Sequence, residues 1–380
     1  MEELYPVTCP FCNLHCNDLH LSFDGGRLTG LTPACSLSEA GFRRVASALA
    51  EERTAKSPLE TDLRTARTWL REALRPLVVL SGDLDRDAVL AAVKLARKYS
   101  AILTCDEDCS GSVLGLSMQS AGFLSATLHE LHDLSLVVLA GVEPASTHPR
   151  LGEFLGWDLG TDCLFLDPPD PLVALRWLRM GSLDPAGNIP AKFAEAANRI
   201  QAAVSGVVVF GPEWLKAGLP LATELLLWLR DLKARRPWYA LYLAPAPNST
   251  GVIETLLSET GYPGNLHFGP EQVDYSPRLL RAEHIIQQGD ADLCLLVGQP
   301  GAFSDHTLTR LTQGRTILLD PDPPAWNSPV WLPSARFGVE APGRFQRLDG
   351  VMVKLRSVLH GDRPLMKDLL LELTREEPPA

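Results

Sequence analysis

From residue 76 onward the chain alternates between short, unbroken apolar runs and longer stretches whose apolar residues recur every three or four positions. Pro76-Leu-Val-Val-Leu-Ser-Gly82 is one such run; others are 101–104 (AILT), 134–140 (LSLVVLA), 163–166 (CLFL), 207–210 (VVVF), 239–243 (YALYL), 293–297 (LCLLV) and 316–319 (TILL). Apolar runs of this length without polar alternation predict strands covered on both faces, as in parallel sheets. The helical period predicts helices between them, such as 85–99 with Val89, Val93 and Ala96 on one face, and segments at about 171–180, 190–203, 219–235, 250–258, 277–288 and 305–313. The strands run into loops of Gly, Pro and Asp: CDEDCSG, AGVEP, DPPDP, FGPEW, APAPNSTG, VGQPGAF and DPDPP. Strand–helix alternation predicts an α/β protein with helices on both sheet faces. There are too many strands for one comfortable sheet. The expected architecture is therefore two Rossmann-like parallel-sheet lobes, 58–203 and 204–335, with a C-terminal return segment and helix over 336–380. Ligands of such folds meet the carboxyl ends of the strands.

The first 57 residues follow another pattern. LHLSFDGGRLTGL alternates apolar and polar positions around Asp24-Gly25-Gly26, predicting a hairpin. A helix follows, with Ser36 or Ser38 as cap and Glu39 at capping-box distance from Ser36, and a second one begins after Pro58. Cys9, Cys12 and Cys16 precede the hairpin in C-x2-C-x3-C spacing, and Cys35 follows it. The hairpin would bring Cys16 and Cys35 to its two open ends. Four thiolates around one point suit an iron–sulfur cluster or a structural zinc, although zinc sites more often use two close pairs. Disulfides and unligated buried thiols are the alternatives.

Composition narrows the classes. A net charge of −11 argues against a nucleic-acid partner. No apolar run approaches the ~20 residues of a membrane span, and MEELYPVTCP has neither the basic nor the apolar region of a secretory signal. Eight cysteines in 380 residues do not make a disulfide scaffold, so a cytoplasmic setting is expected. Neither G-x-G-x-x-G nor G-x-x-x-x-G-K-[ST] occurs, which argues against ordinary NAD or ATP binding.

Outside the N-terminus, Cys109 follows Asp106-Glu107-Asp108 at the end of a predicted strand. A helix start there would lower its pKa and the three carboxylates would raise it, so it reads either as a small loop residue or as a metal-ligating thiolate. Cys105 is placed at a buried strand end, and Cys163 and Cys294 in the core. His148, held extended by Pro149, and Arg150 follow the 134–140 run. His129 and His132 read as solvated surface. Glu340, Arg344, Arg347 and Asp349 lie in a glycine-bracketed loop, either a flap over a polar cofactor edge or a tight turn stapled by an Arg–Asp pair.

Five ordered motifs, together spanning most of the chain, carry a resemblance: CPFCNLHCNDL with Cys35; DCSGSVLGLSMQSAGF with TLHEL; AGVEPASTHPR; NSTGVIETLLSETGYP; and WLPSARFGVEAPGRFQRLDG. The chain resembles the B subunit of formylmethanofuran dehydrogenase, a molybdopterin/tungstopterin oxidoreductase. The resemblance implies that Cys9, Cys12, Cys16 and Cys35 bind a [4Fe–4S] cluster and that Cys109 ligates tungsten or molybdenum. It also makes His148 and Arg150 relic catalytic candidates, and Glu340, Arg344 and Arg347 cofactor-side candidates. Two departures matter. Ser110 follows Cys109 where active members have His, and Pro342 and Arg344 replace residues expected at the cofactor. These favour the related B-like subunit of the bacterial formyltransferase/hydrolase complex of tetrahydromethanopterin-linked one-carbon metabolism. That implies a structural, non-redox role next to an amidohydrolase-like A subunit, a C subunit and a formyltransferase D subunit, with either a [4Fe–4S] cluster or none and without a tungsto- or molybdopterin. The alternatives are an active catalytic subunit interconverting CO2 and formate, and a stand-alone iron–sulfur or zinc protein.

Overall fold

The computed structural model describes residues 2–24, 27–52, 59–105, 126–157, 162–183, 189–215, 218–299, 301, 303–324, 326 and 330–375. Strands are numbered in chain order. The chain forms two compact units: Met1–Asp108 with Ala246–Phe345 and Val353–Ala380, and Cys109–Pro245 with Gln346–Met352.

The first unit opens with a three-stranded antiparallel sheet in which β2 (Leu19–Asp24) lies between β1 (Glu2–Val7) and β3 (Arg27–Thr32). The predicted hairpin is β2–β3; its Gly25-Gly26 tip lies outside the described residues. Alternation is literal in β2, where Leu19, Leu21 and Phe23 are buried between less buried neighbours. The helix Ser36–Glu52 follows. Its cap is neither Ser36 nor Ser38 but Cys35, whose carbonyl accepts from the Glu39 N–H at 3.0 Å and whose sulfur accepts from the Ser38 N–H at 3.5 Å.

The main sheet of this unit has seven strands, in the order β11 (Val273–Tyr275), β10 (Leu266–Phe268), β5 (Ile102–Cys105), β4 (Pro76–Leu80), β12 (Leu293–Val297), β13 (Thr316–Asp320) and β14 (Val330–Pro333). The five from β5 to β14 are parallel; β10 and β11 add an antiparallel edge. Central strands β4, β12 and β13 are buried at every position, as their unbroken apolar runs require. Helix Arg86–Lys98 is capped by the Asp85 side chain, which accepts from the Ala88 N–H at 2.8 Å, and buries Val89, Val93 and Ala96 against the sheet as predicted.

The second unit holds a four-stranded parallel sheet, ordered β7 (Cys163–Leu166), β6 (Leu136–Ala140), β8 (Gly206–Phe210) and β9 (Trp238–Tyr242). Helices Pro171–Leu183, Ala191–Ala202 and Leu219–Lys233 close its core around Trp228, Phe210 and Leu225.

The two α/β lobes and the small N-terminal unit are therefore present, but the division into contiguous lobes at 58–203 and 204–335 is not the one the strands follow. β4 pairs with β12, more than 200 residues on, and not with β6. An apolar run tells a strand to be buried between neighbours and does not say which neighbours. Cys163 also departs from its core reading. It lies on edge strand β7, half-buried, with its carbonyl accepting from Arg199 at 2.9 Å. Cys294 is core, and burial pushes its thiol up to about 12. Among the described residues no helix is long and apolar enough to cross a membrane.

Candidate functional site

All four N-terminal cysteines lie in the first unit. Residues 9–16 form a closed loop in which the Cys9 N–H donates to the Cys16 carbonyl at 2.8 Å and the His15 N–H to the Cys12 carbonyl at 3.2 Å. Cys9 and Cys16 are buried, while Cys12 and Cys35 are half-buried. Burial pushes the Cys9 thiol well up, and the nearby charges of Cys12, Cys16 and Cys35 add to this. Burial also raises Cys12, to about 11, with Cys35 adding to it. Cys35 therefore lies within charge reach of both. Backbone N–H groups are aimed at the sulfurs: Phe11 at Cys9, Leu14 and His15 at Cys12, and Ser38 at Cys35.

Donors directed at sulfur favour the thiolate, and such bonds are a feature of iron–sulfur ligation. Burial opposes the free thiolate. Among the described residues no three Cys, His, Asp or Glu side chains are gathered tightly enough to hold one metal ion. The four-thiol donor set, with N–H groups aimed at sulfur, is in its chemistry compatible with an iron–sulfur cluster or with zinc.

His15 is the buried centre of this loop. Its Nδ1 lies 2.9 Å from the Cys9 carbonyl and its Nε2 lies 2.9 Å from the Pro247 carbonyl. Carbonyl oxygens only accept, so the ring holds both bonds when both nitrogens carry hydrogen. Phe11 packs edge-on against Phe42, with ring centres 4.9 Å apart, and takes up the space beside Gly41, where a Cβ would overlap its ring.

A cavity of about 210 Å³ lies beside the loop, lined chiefly by Phe11, Phe337, Phe345, Asp83, Arg44 and Arg336. Asp83 stands just past β4, and Asp320 ends β13, so the cavity is at the carboxyl ends of the sheet, where the fold predicts a site. Its charges are mixed: Arg44, Arg336 and Asp83 line it, with Asp322 and Asp320 close to Arg336. The Arg336 guanidinium is engaged by Asp322 at 2.6 Å, and Arg44 lies 3.7 Å from the same carboxylate. Burial lowers the Arg336 pKa, but Asp322, Asp83 and Asp320 outweigh it, and the net shift is upward. Asp320 is buried, and burial together with the Asp83 charge pushes its carboxyl up to about 7. The sequence reading missed Asp83 and Arg336. Asp83 follows a strand end directly and was open to the positional rule; Arg336 sits in the WLPSARFG stretch with no local signal of its role.

The glycine crooks after the strands are filled from within. The space a Cβ would take at Gly82 is held by Ser249 and by the Ala246 Cβ at 2.7 Å, and that at Gly298 by Ser81 and by Asp83 Oδ1 at 2.6 Å. In the second unit the Trp214 ring fills the crook at Gly141, and Val142 Cγ1 comes to 2.7 Å at Gly211.

The remaining candidates fall as follows. Cys109 lies outside the described residues. His148 is buried, with Nδ1 2.9 Å from the Thr147 hydroxyl, and Arg150 is buried, with a two-pronged bond to Glu153 at 2.8 and 2.6 Å. Both follow β6. The Glu340 carboxylate accepts from the Arg336 N–H at 3.2 Å and from Arg363 at 3.4 Å, bracing its own loop. Arg344 pairs with Asp87 at 2.6 Å on the surface. Arg347 staples Asp349 at 2.8 and 2.7 Å, the tight-turn alternative of the sequence reading. Burial alone would raise the Asp349 carboxyl, but Arg347 and the Leu128 and Val351 N–H groups hold it below the usual range. His129 and His132 are exposed, as expected.

Searched against protein-family models, the chain matches none. It is 22% identical over 95% of its length to the B subunit of the tungsten-containing formylmethanofuran dehydrogenase 2 of Methanocaldococcus jannaschii, covering 95% of that protein. The corresponding protein of Methanococcus maripaludis is 23% identical over 97% of the chain, with 96% of that protein covered. Among solved structures, the fold is similar to a chain of the formyltransferase/hydrolase complex of Methylorubrum extorquens, determined with methylofuran. The TM-score is 0.69 at 19% identity, over 84% of this chain and 96% of that one. The homologues of this chain along its whole length are thus B subunits of formylmethanofuran dehydrogenase, and its fold is shared with the formyltransferase/hydrolase complex.

Proposed function

We propose that this chain is the B-like subunit of a formyltransferase/hydrolase complex related to formylmethanofuran dehydrogenase, serving tetrahydromethanopterin-linked one-carbon metabolism without redox chemistry of its own. Its partners are an amidohydrolase-like A subunit, a C subunit and a formyltransferase D subunit. The observation that carries the non-redox reading is the cavity at the strand ends of the first unit. A pterin dinucleotide brings several phosphates, which need free backbone donors and basic side chains. Here Arg44 and Arg336 line the cavity but both are turned to Asp322, Asp83 stands beside them, and the Gly82 and Gly298 crooks are taken up by the chain's own side chains. Each unscreened pair of like charges at 4 Å opposes binding by about 4 kcal/mol at an effective dielectric of about 20. With its arginines already paired and its crooks filled, this cavity supports the reading without a pterin dinucleotide. The four thiols do fit a [4Fe–4S] cluster, which would be held by Cys9, Cys12, Cys16 and Cys35 as a structural group. A cytoplasmic, reducing setting belongs to this proposal, since eight cysteines in 380 residues are too few for a disulfide scaffold.

The test is metal analysis of the purified complex together with two assays. Iron without tungsten or molybdenum, formyl transfer, and no viologen-linked formate oxidation is the expected result. Formate oxidation by a tungsten- or molybdenum-loaded complex, lost in Cys109→Ser, would overturn the proposal.

A further inference from the structure

We infer that His15 is the positioning residue of the four-thiol site: its imidazole pins the cysteine loop to the sheet-end segment at Pro247 and so sets where Cys9, Cys12 and Cys16 stand. The inference deepens the cluster reading above and rests on it in one of its two tests.

Three observations converge on this side chain. Its backbone is left-handed, with φ +46°, a conformation that is unfavourable for an L residue and persists only where surroundings impose it. At that turn the His15 N–H donates to the Cys12 carbonyl at 3.2 Å. Residue His15 is 1% exposed, and its two ring nitrogens lie within hydrogen-bond distance of the Cys9 carbonyl inside the loop and of the Pro247 carbonyl 232 residues away.

The Pro247 end is itself fixed. The Asn248 N–H donates to the Gly82 carbonyl at 2.7 Å, and its Nδ2 donates to the Leu84 carbonyl at 2.6 Å, tying this segment to the end of β4. The path from sulfur to sheet therefore runs from the Cys9 carbonyl through the imidazole to Pro247 and on to Gly82. Phe345 lies edge-on to the same ring at 5.5 Å, closing its apolar side. The loop's other anchor, Phe11 on Phe42, is apolar packing and gives position without hydrogen-bond direction. Partners that orient ligands in this way typically change metal affinity by about 10- to 100-fold when removed.

The experiment uses the full chain, isolated anaerobically. His15→Gly removes the ring and accepts the left-handed backbone, and His15→Gln keeps one side-chain donor. His20→Ala, on the adjacent strand, and the core variant Val93→Ala control for position and for general destabilisation. After reconstitution with ferrous iron and sulfide, release of iron to a chelator should be about tenfold faster in His15→Gly than in the wild type, with His15→Gln intermediate. In metal-free protein, alkylation of Cys9 and Cys16 by iodoacetamide should speed up in the same order. Val93→Ala should lower the melting temperature without either effect, and His20→Ala should change neither rate. Wild-type rates in both histidine variants, or accelerations no larger than those of Val93→Ala, would overturn the inference. A wild-type chain that takes up no iron and sulfide would overturn the cluster reading instead, leaving alkylation to decide the role of His15. A His15→Gly chain that does not fold leaves His15→Gln to be judged by the same two rates.

Discussion

Asp320 carries a buried carboxyl whose pKa is raised to about 7 by burial and by Asp83. Its consequence for stability has a definite sign. In the unfolded chain the group titrates near the usual carboxylate value, about 3.9, so between pH 4 and 7 the folded state binds the additional proton. Stability then falls as pH rises through that window, and above pH 7 the full cost of a buried charge is present. Asp320→Asn keeps the acceptor that meets the Asp322 N–H at 2.7 Å and removes the charge. It should therefore raise stability by on the order of 2 kcal/mol at pH 8 and leave it unchanged at pH 4. Thermal melts at the two pH values decide this; a gain of equal size at both would show that the carboxyl is not the group responsible. The thiols make the opposite case. Cys9→Ser should abolish iron retention, because a hydroxyl aimed at by the Phe11 N–H cannot replace a thiolate ligand; iron counted per chain is the readout.

The crooks at the strand ends give the next prediction. Gly298 is at φ +79°, and a Cβ there would meet Ser81 and Asp83, while Gly289 is at φ +71° with open space around it. Gly298→Ala should cost about 3 kcal/mol, strain and overlap together, and Gly289→Ala only the strain, about 1 kcal/mol. Urea midpoints of the two variants measure the difference, and equal losses would mean that the Gly298 crook is not filled. Elements of this kind mark how far the sequence could be read. Buried strands such as β4 and β12 announce themselves as apolar runs closed by Gly or Asp, and the helices between them by their period. Short strands such as β11 (VDY) and β15 (Gly343–Gln346) carry too few residues for any period to register. The C-x2-C-x3-C pattern of Cys9, Cys12 and Cys16 can be read in the sequence because its spacing is local. His15 was not, because half of its role lies in a carbonyl 232 residues away. Asp83 and Arg336 come to line one cavity only through tertiary packing.

In the whole molecule the governing fact is that the chain leaves the first unit near Asp108 and returns at Ala246. The four strands of the second sheet are contributed by one uninterrupted stretch, and their core, from Leu136 to Ala244, lies within it. The seven-stranded sheet is assembled from both sides of that stretch, with β4 between β5 and β12. Its central strand therefore has no hydrogen-bonding neighbour on one side until residues beyond 290 are available. A fragment spanning 109–245 contains a complete parallel sheet with helices to cover it, although it loses the bond from the Leu128 N–H to Asp349 at 3.0 Å. A fragment spanning 204–335 has similar length and similar composition. It takes two strands from the four-stranded sheet and five from the seven-stranded one, and leaves β12 without β4. Burying apolar strands requires their partners, so the first fragment should fold cooperatively and the second should not. Circular dichroism with urea titration of both pieces is the measurement. A sharp transition in 204–335 and none in 109–245 would mean that the chain follows contiguous lobes after all, and that β4 and β12 do not form the spine of the larger sheet.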